Sequence, residues 1–483
     1  MMLPIDRSPS PVEEARPVAA PSVWNSDPEF TLLKTILAEP RGTASRTSRR
    51  IVPRLVSLAV SLFAIAASVG AKTLDAGPAD YRARLAVLAP GDTLRLAPGD
   101  YVQGLPIHRL NGRPGAPIRI EAKDRAARPR FLGRRGHNTV SIVDASYIEI
   151  AGLELDGRGL AVDGVKAESN SRFAHDITLD DLLIKGHGAD QQVIGISTKS
   201  PAWKWVIRNT VILEAGTGMY LGESDGSAPF VAGLIEGNLI RDTRGYNLQI
   251  KHQLERPALP GMPAQPSTTI IRHNVFSKQK NGSREALARP NLLVGHFPKS
   301  GAGSEDIYLI YANFLYENPT EALFQGEGNI ALYSNVFVNM SGSAVHIQPH
   351  NGRPESVDVF GNTVVARDRG ILIVGGNPDR SQRAFGNAIF ADAPLEAPHA
   401  SSNVIGNLQE AAQRLRSPFA SPGALELAPL HDSAVKTKAW PSVPGRYVDA
   451  AKDFEGNPRV PGIAGAYSSR APIWSLPLDR KPR

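Results

Sequence analysis

The 483-residue chain has no cysteine, which excludes disulfides, thiolate metal sites and a cysteine nucleophile and leaves stability to packing and backbone hydrogen bonding. Strong helix-forming composition is scarce, and long runs of one charge are missing. The net charge of +7 mildly favours an acidic polymer and is far too small to argue for nucleic acid. What the chain does have is 44 glycines, 39 prolines and 42 % hydrophobic residues, the composition of a turn-rich globular protein able to bury a core. That length would hold two or three ordinary domains, but all-β and repeat folds often spend it on one body.

No apolar run reaches the roughly 20 residues a membrane-spanning helix needs. The run from Leu55 to Val69 covers 15 residues, follows a basic start in "RRIVPR" and ends at Val69-Gly70-Ala71. It reads as a secretory signal cleaved near Ala71, so the expectation is a periplasmic or extracellular protein with no stable membrane span after cleavage. Residues 1–71 are then an N-terminal extension and signal peptide, residues 72–406 the folded body, and residues 407–483 a Pro-rich tail packing on it.

The body repeats. Short apolar-polar-apolar segments recur at Gly152, Asp181, Asn209, Asn238, Asn274, Asn313, Asn335, Asn362 and Asn387, in steps of 22 to 39 residues. Several are followed about ten residues later by a second short strand, such as "NLQIKH" or "AVHIQP". Periods of this size with short alternating strands predict an all-β solenoid, a parallel β-helix whose coils lie about 4.8 Å apart. Asparagine at each corner is expected to take the left-handed backbone and to form a side-chain ladder from coil to coil. Solenoid ends need covers; "ADYRARLAVLAP" (residues 79–90) predicts a short N-terminal capping helix, and an irregular tail follows about Asn407.

The opening "PGDTLRLAPGDY" (residues 90–101) with "GAPIRIEA" (residues 115–122), and the closing "DFEGNPRVPGIAGAY" (residues 453–467), resemble secreted right-handed β-helix proteins of the pectate-lyase-like superfamily, especially the chondroitinase-B-like and alginate lyase branch. The resemblance covers roughly residues 74 to 468. It implies a single-stranded right-handed parallel β-helix and a polysaccharide substrate.

Alternation along the second strand of each coil places Val165, Ile196, Met219, Leu248, Leu292, Leu323, Val345 and Leu372 inward. Lys166, Ser197, Tyr220, Gln249, Leu293, Phe324, His346 and Ile373 are then outward. Glu168, Lys199, Lys251 and Gln348 take the next outward places, with His252, His296 and His350 at the strand ends. The longest insertions follow this strand and would wall a groove. Lys199, Tyr220, Gln249, Arg289, His346, Gln348 and His350 are the substrate-binding candidates, and Arg289 suits bidentate pairing with a carboxylate. Eliminating across a uronic acid needs a base, a neutraliser for the carboxylate and an acid for the leaving oxygen. Lys251, among neighbouring cations, is the candidate base, with His252 or His296 assisting.

The chondroitinase-B-like resemblance implies a base lysine in the place of Lys251. It also implies an arginine-histidine pair one coil on, where Gly295 and His296 stand, and two calcium-binding carboxylates shortly before the lysine, where "RGYN" stands. Glu223 and Asp225 in "GESDG" are the alternative candidates for calcium. The expectation is a monomer acting on an acidic, uronic-acid-containing polysaccharide as a lyase. Hydrolase or epimerase chemistry in the same groove, and a non-catalytic glycan-binding surface or matrix protein, are the rival readings.

Overall fold

The computed structural model describes residues 70–468 and 474–482, so nearly all of the expected signal segment lies outside the described residues. Three long sheets, of 15, 11 and 12 strands, run the length of the body. We call them A, C and B, because each coil visits A, then B, then C. Every pairing between coils is parallel, as in Ile150–Leu179–Ile207–Ile235 on sheet A. The body is a parallel β-helix.

Alternation explains the core. On sheet A the inward column continues as Ile271, Ile310, Leu332, Val359 and Ala384, each within about one strand spacing of the next. All are essentially inaccessible to solvent. A short helix, Tyr81–Leu85, covers the first coil by burying Tyr81 and Leu85, and the Tyr81 hydroxyl donates to the Gly104 carbonyl at 2.6 Å. The tail from Asn407 lies against the outer faces of the later coils, where Leu408, Leu427, Tyr447, Phe454 and Tyr467 join a second apolar cluster. Among the described residues no helix is long and apolar enough to cross a membrane.

The asparagine ladder is present, with its roles divided differently from the expectation. From Asn238 through Asn274, Asn313, Asn335, Asn362 and Asn387 to Asn403, each Nδ2 donates to the Oδ1 of the next at 2.9–3.1 Å. The same Nδ2 groups also donate to core-strand carbonyls, so each amide is bonded along and across the coils. The left-handed backbone belongs to the residue before each of them: Gly237, His273, Ala312, Ser334, Gly361, Gly386 and Ser402, with φ between 52° and 64°. Turning the corner one residue early aims the amide into the coil, where it reaches its neighbours. Gly152, Asp181 and Asn209 occupy that corner place themselves, with Leu153, Leu182 and Thr210 in the ladder column.

Candidate functional site

The outer face of sheet C carries two rows of side chains. Strand register aligns Lys166, Ser197, Tyr220, Gln249, Leu293, Gln325, His346 and Leu372 in the first. This corrects two assignments: Phe324 and Ile373 point inward, and Gln325 and Leu372 take the outward places. Backbone bonds carry the register two residues further, giving a second row of Glu168, Lys199, Gly222, Lys251, Gly295, Glu327 and Gln348. Gln325 was missed as a floor residue by that slip of one.

Lys251 lies between two glycines. A methyl group on Gly222 would approach the Lys251 Cβ to 3.2 Å, and Gly222 has φ +100°, a conformation only glycine adopts freely. On the other side, a Cβ on Gly295 would come within 2.3 Å of the His252 backbone nitrogen. The place where the resemblance expects arginine therefore has no room for any side chain. The result is one half-buried lysine standing between two positions that carry no side chain. Among the described residues its ammonium has no hydrogen bond or ion pair. Burial, then the nearby Lys199 charge, lower its pKa below the ordinary lysine value, against opposing pulls from Glu327 and Glu223.

Both flanking charges are fixed. Lys199 Nζ is 3.3 Å from Glu223 Oε1 and 3.9 Å from the centre of the Tyr220 ring. Burial pushes the Tyr220 phenol up to about 12, so it is a proton donor at neutral pH. Beyond Gly295, the buried Glu327 carboxylate accepts backbone N–H bonds from His350, Asn351 and Gly352 at 3.1, 3.0 and 2.8 Å, and a longer one from His296 at 3.4 Å. A carboxylate ringed by peptide donors is a clamp on two loops, and it fixes the backbone at His296 and His350.

The two assisting histidines pack together, their rings 5.2 Å apart and 24° from parallel. His296 Nδ1 is 2.8 Å from the Phe297 carbonyl. A carbonyl only accepts, so Nδ1 carries the proton and the neutral ring presents the Nε2 lone pair. His252 Nδ1 is buried without a partner; burial first, then the Lys251 and His296 charges, lower its pKa. On the floor itself Ser197 Oγ, Gln249 Oε1 and His346 Nε2 are also buried without a partner.

Insertions at residues 222–229, 251–267, 295–306 and 348–353 all leave the same edge of sheet C. A buried Arg256–Asp306 ion pair ties the second to the third. Under them opens a cleft of about 570 Å³ lined by His296, Lys299, Arg353, Glu355 and Arg380 among others. The opposite edge carries Tyr246 and Arg289. Arg289 spends Nη1 on the Ala286 and Ala288 carbonyls at 2.9 and 2.7 Å, bracing its own loop, with its guanidinium 6.0 Å from the Tyr246 ring centre. His350 and Gln348 stand at the insertion edge, beside Gln325 and Glu327.

The residues do not fit calcium. Where the resemblance expects paired carboxylates, Asn247 is buried and donates to Thr243 Oγ1 and the Ser277 carbonyl. Gly245 leaves no room for a side chain, since a Cβ there would lie 2.5 Å from Thr217 Oγ1. Glu223 is held by an ammonium that repels a cation, and Asp225 accepts from Ser227 within its own turn at 2.9 and 2.6 Å. Among the described residues no group of three or more His, Asp or Glu could hold a metal ion.

No protein-family model matches the chain, nor does any curated protein. Among solved structures it is similar to an alginate lyase from Paenibacillus sp. (TM-score 0.41, 15 % identity, covering 70 % of this chain and 98 % of that one). Pectate lyase Pel9A aligns with TM-score 0.43 and 14 % identity over 86 % of this chain and 98 % of its own. A GH136 lacto-N-biosidase from Eubacterium ramulus aligns with TM-score 0.41 and 11 % identity over 70 % and 68 %. These are similarities of fold.

Proposed function

We propose that this is a secreted polysaccharide lyase that cleaves an anionic, uronic-acid-containing polysaccharide by β-elimination on the outer face of sheet C, with Lys251 as the base. The observation that carries the reading is the half-buried Lys251 ammonium, unpartnered among the described residues and depressed by burial and by Lys199. A lysine must lose its proton to act as a base, and desolvation next to a like charge promotes that loss. Neutral Lys251 takes the proton from the carbon next to the uronate carboxylate. That C–H electron pair becomes the new carbon-carbon double bond, and the glycosidic C–O pair leaves with the oxygen. The departing oxygen then takes a proton, from the Tyr220 phenol on the floor or from His296 once its ring is protonated. Gln249, His346 and Gln348 are placed to hydrogen-bond sugar hydroxyls, His350 and Arg289 to meet the chain at the two edges, and His252 to hold His296 in place.

Hydrolysis is the poorer fit. It needs two carboxyl groups within about 5 to 9.5 Å, one of them able to donate a proton. Of the acids beside Lys251, Glu223 is paired with Lys199 and Glu327 is consumed by peptide N–H groups.

The test is incubation of the purified protein with alginate, pectate and glycosaminoglycans while following the ultraviolet absorbance of unsaturated sugar ends. Product on at least one polymer is expected, and none from the Lys251→Met variant. Failure on every acidic polymer would leave the non-catalytic glycan-binding reading in its place.

A further inference from the structure

We infer that Lys199, rather than a divalent cation, neutralises the substrate carboxylate at this site. The inference rests on the proposed lyase reading and names the group that does the work calcium does in the proteins the sequence resembles. Three observations carry it. Lys199, Gly222 and Lys251 are successive positions on neighbouring coils, so the two lysine Cα atoms stand two strand spacings, about 10 Å, apart. Gly222 between them has no side chain and a left-handed backbone that bars one, and a Cβ there would stand 3.2 Å from the Lys251 Cβ and 3.4 Å from the Ala228 carbonyl oxygen, so no third side chain comes between the two lysines. Lys199 is also pre-set: Glu223 Oε1 takes one of its bonds, the Tyr220 ring lies beneath it at 3.9 Å, and Glu223 is itself fixed by the Ser224 N–H and hydroxyl, both at 2.7 Å.

A carboxylate lying between the two ammonium groups would bond the remaining ammonium protons of Lys199 and bring its adjacent carbon toward Lys251. Neutralising the carboxylate there stabilises the enolate-like charge that develops as the proton leaves. Glu223 does not cancel this role, because one carboxylate oxygen cannot saturate an ammonium with three donors. The same pair explains the poor fit for calcium, since a divalent ion near Glu223 would have to displace Lys199.

The experiment is titration calorimetry of the whole protein with short oligosaccharides of alginate and of pectate, and with their carboxyl-reduced counterparts, in the presence of a calcium chelator. Wild type is expected to bind the acidic oligosaccharides equally well with and without chelator. Lys199→Gln should lose on the order of tenfold in affinity for them, as for loss of a charge-assisted hydrogen bond, and bind the reduced sugars unchanged. Lys199→Arg should keep most of the affinity, which a merely structural lysine would not. Binding that disappears with chelator and returns with calcium, or a Lys199→Gln variant indistinguishable from wild type, overturns the inference. Calcium-dependent elimination would sink it and leave the lyase reading standing. The expected binding pattern without any elimination product would sink the lyase reading and leave Lys199 as the carboxylate site.

Discussion

The outer faces of sheets A and C belong to the same coils and meet opposite fates. On sheet A, Tyr311, Tyr333, Phe360 and Phe385 stack with ring centres 4.9–5.0 Å apart and planes within 8°. The tail seals them: Tyr447 lies against Phe360 and donates to Asp358 at 2.7 Å, and Tyr311 donates to Asp449 at 3.1 Å. On sheet C, among the described residues, no tail residue joins the row, two places hold glycine, and the Lys251 ammonium has no partner. One scaffold thus has a face spent on stability and a face withheld from it. The uncovered row with its unpartnered cation is the face left free to meet a ligand.

The largest expected effect tests whether the bare face does chemistry. Lys251→Met should lower the elimination rate by about 10³-fold or more, as for loss of a positioned base, measured as initial rates on whichever polymer is cleaved. Its melting temperature should not fall. The folded-state pKa of Lys251 lies below the ordinary 10.5, so burial of its charge costs nothing well above that value and costs most at pH below the folded one. Near-normal activity in this variant would break the comparison at its centre.

The mirror experiment belongs to the sealed face. Phe360→Ala removes a ring held between Tyr333 and Phe385 under the tail, and should cost about 3 to 4 kcal/mol of stability by chemical denaturation. Activity per folded molecule should be unchanged. A catalytic defect would mean the two faces are coupled through the coils.

Within the ladder the same logic predicts a gradient. Asn335 bonds Asn362 on one side and receives from Asn313 on the other, whereas Asn403 is the last rung and receives only from Asn387. Asn335→Ala should cost about 2 to 3 kcal/mol, since both neighbours are left with unsatisfied buried groups, and Asn403→Ala roughly half that. Equal losses would show that the ladder bonds are not what the asparagines contribute.

How much of this could be read from the residues alone follows from where pattern determines phase. Repeat spacing and alternation sufficed for the coils and for an outward Lys166, Ser197, Tyr220, Gln249 and His346, because each follows a single inward aliphatic flanked by polar or small residues. The pattern failed at "ALFQGEG" and "GILIVGG", where adjacent apolar residues leave a period of two without a phase. There the hydrogen-bonded pairings Leu292–Phe324 and Val345–Ile371 decide, and those are contacts between coils that no local window contains. Missing Gln325 at the floor followed from that slip, while the role of Glu327 as the loop clamp depends on N–H groups of two loops that no local pattern contains. The left-handed corner went to the wrong residue for a related reason. Its occupants are Gly, His, Ala and Ser, which share no composition, while the asparagines beside them are conspicuous. The groove walled by the insertions was legible from their common place after one strand, whereas its lining by Lys299, Arg353, Glu355 and Arg380 was not, because those residues come from loops far apart in sequence.

The smallest expected effect separates the two charges that flank Lys251. In the free enzyme Lys199 pushes the lysine's pKa down and Glu327 pulls it up, with burial larger than either. The acid limb of kcat/KM against pH reports this group before substrate binds. Lys199→Met removes a like charge, so protonated Lys251 becomes easier to hold and the midpoint moves up. Glu327→Gln removes an opposite charge, so the midpoint moves down. Because desolvation is untouched in both, each midpoint should still lie below the ordinary lysine value. Opposite shifts from residues on either side of two glycines would place the titrating group between them, on the open face of sheet C. Shifts of the same sign, or none, would assign the limb to another residue and remove Lys251 from the role of base.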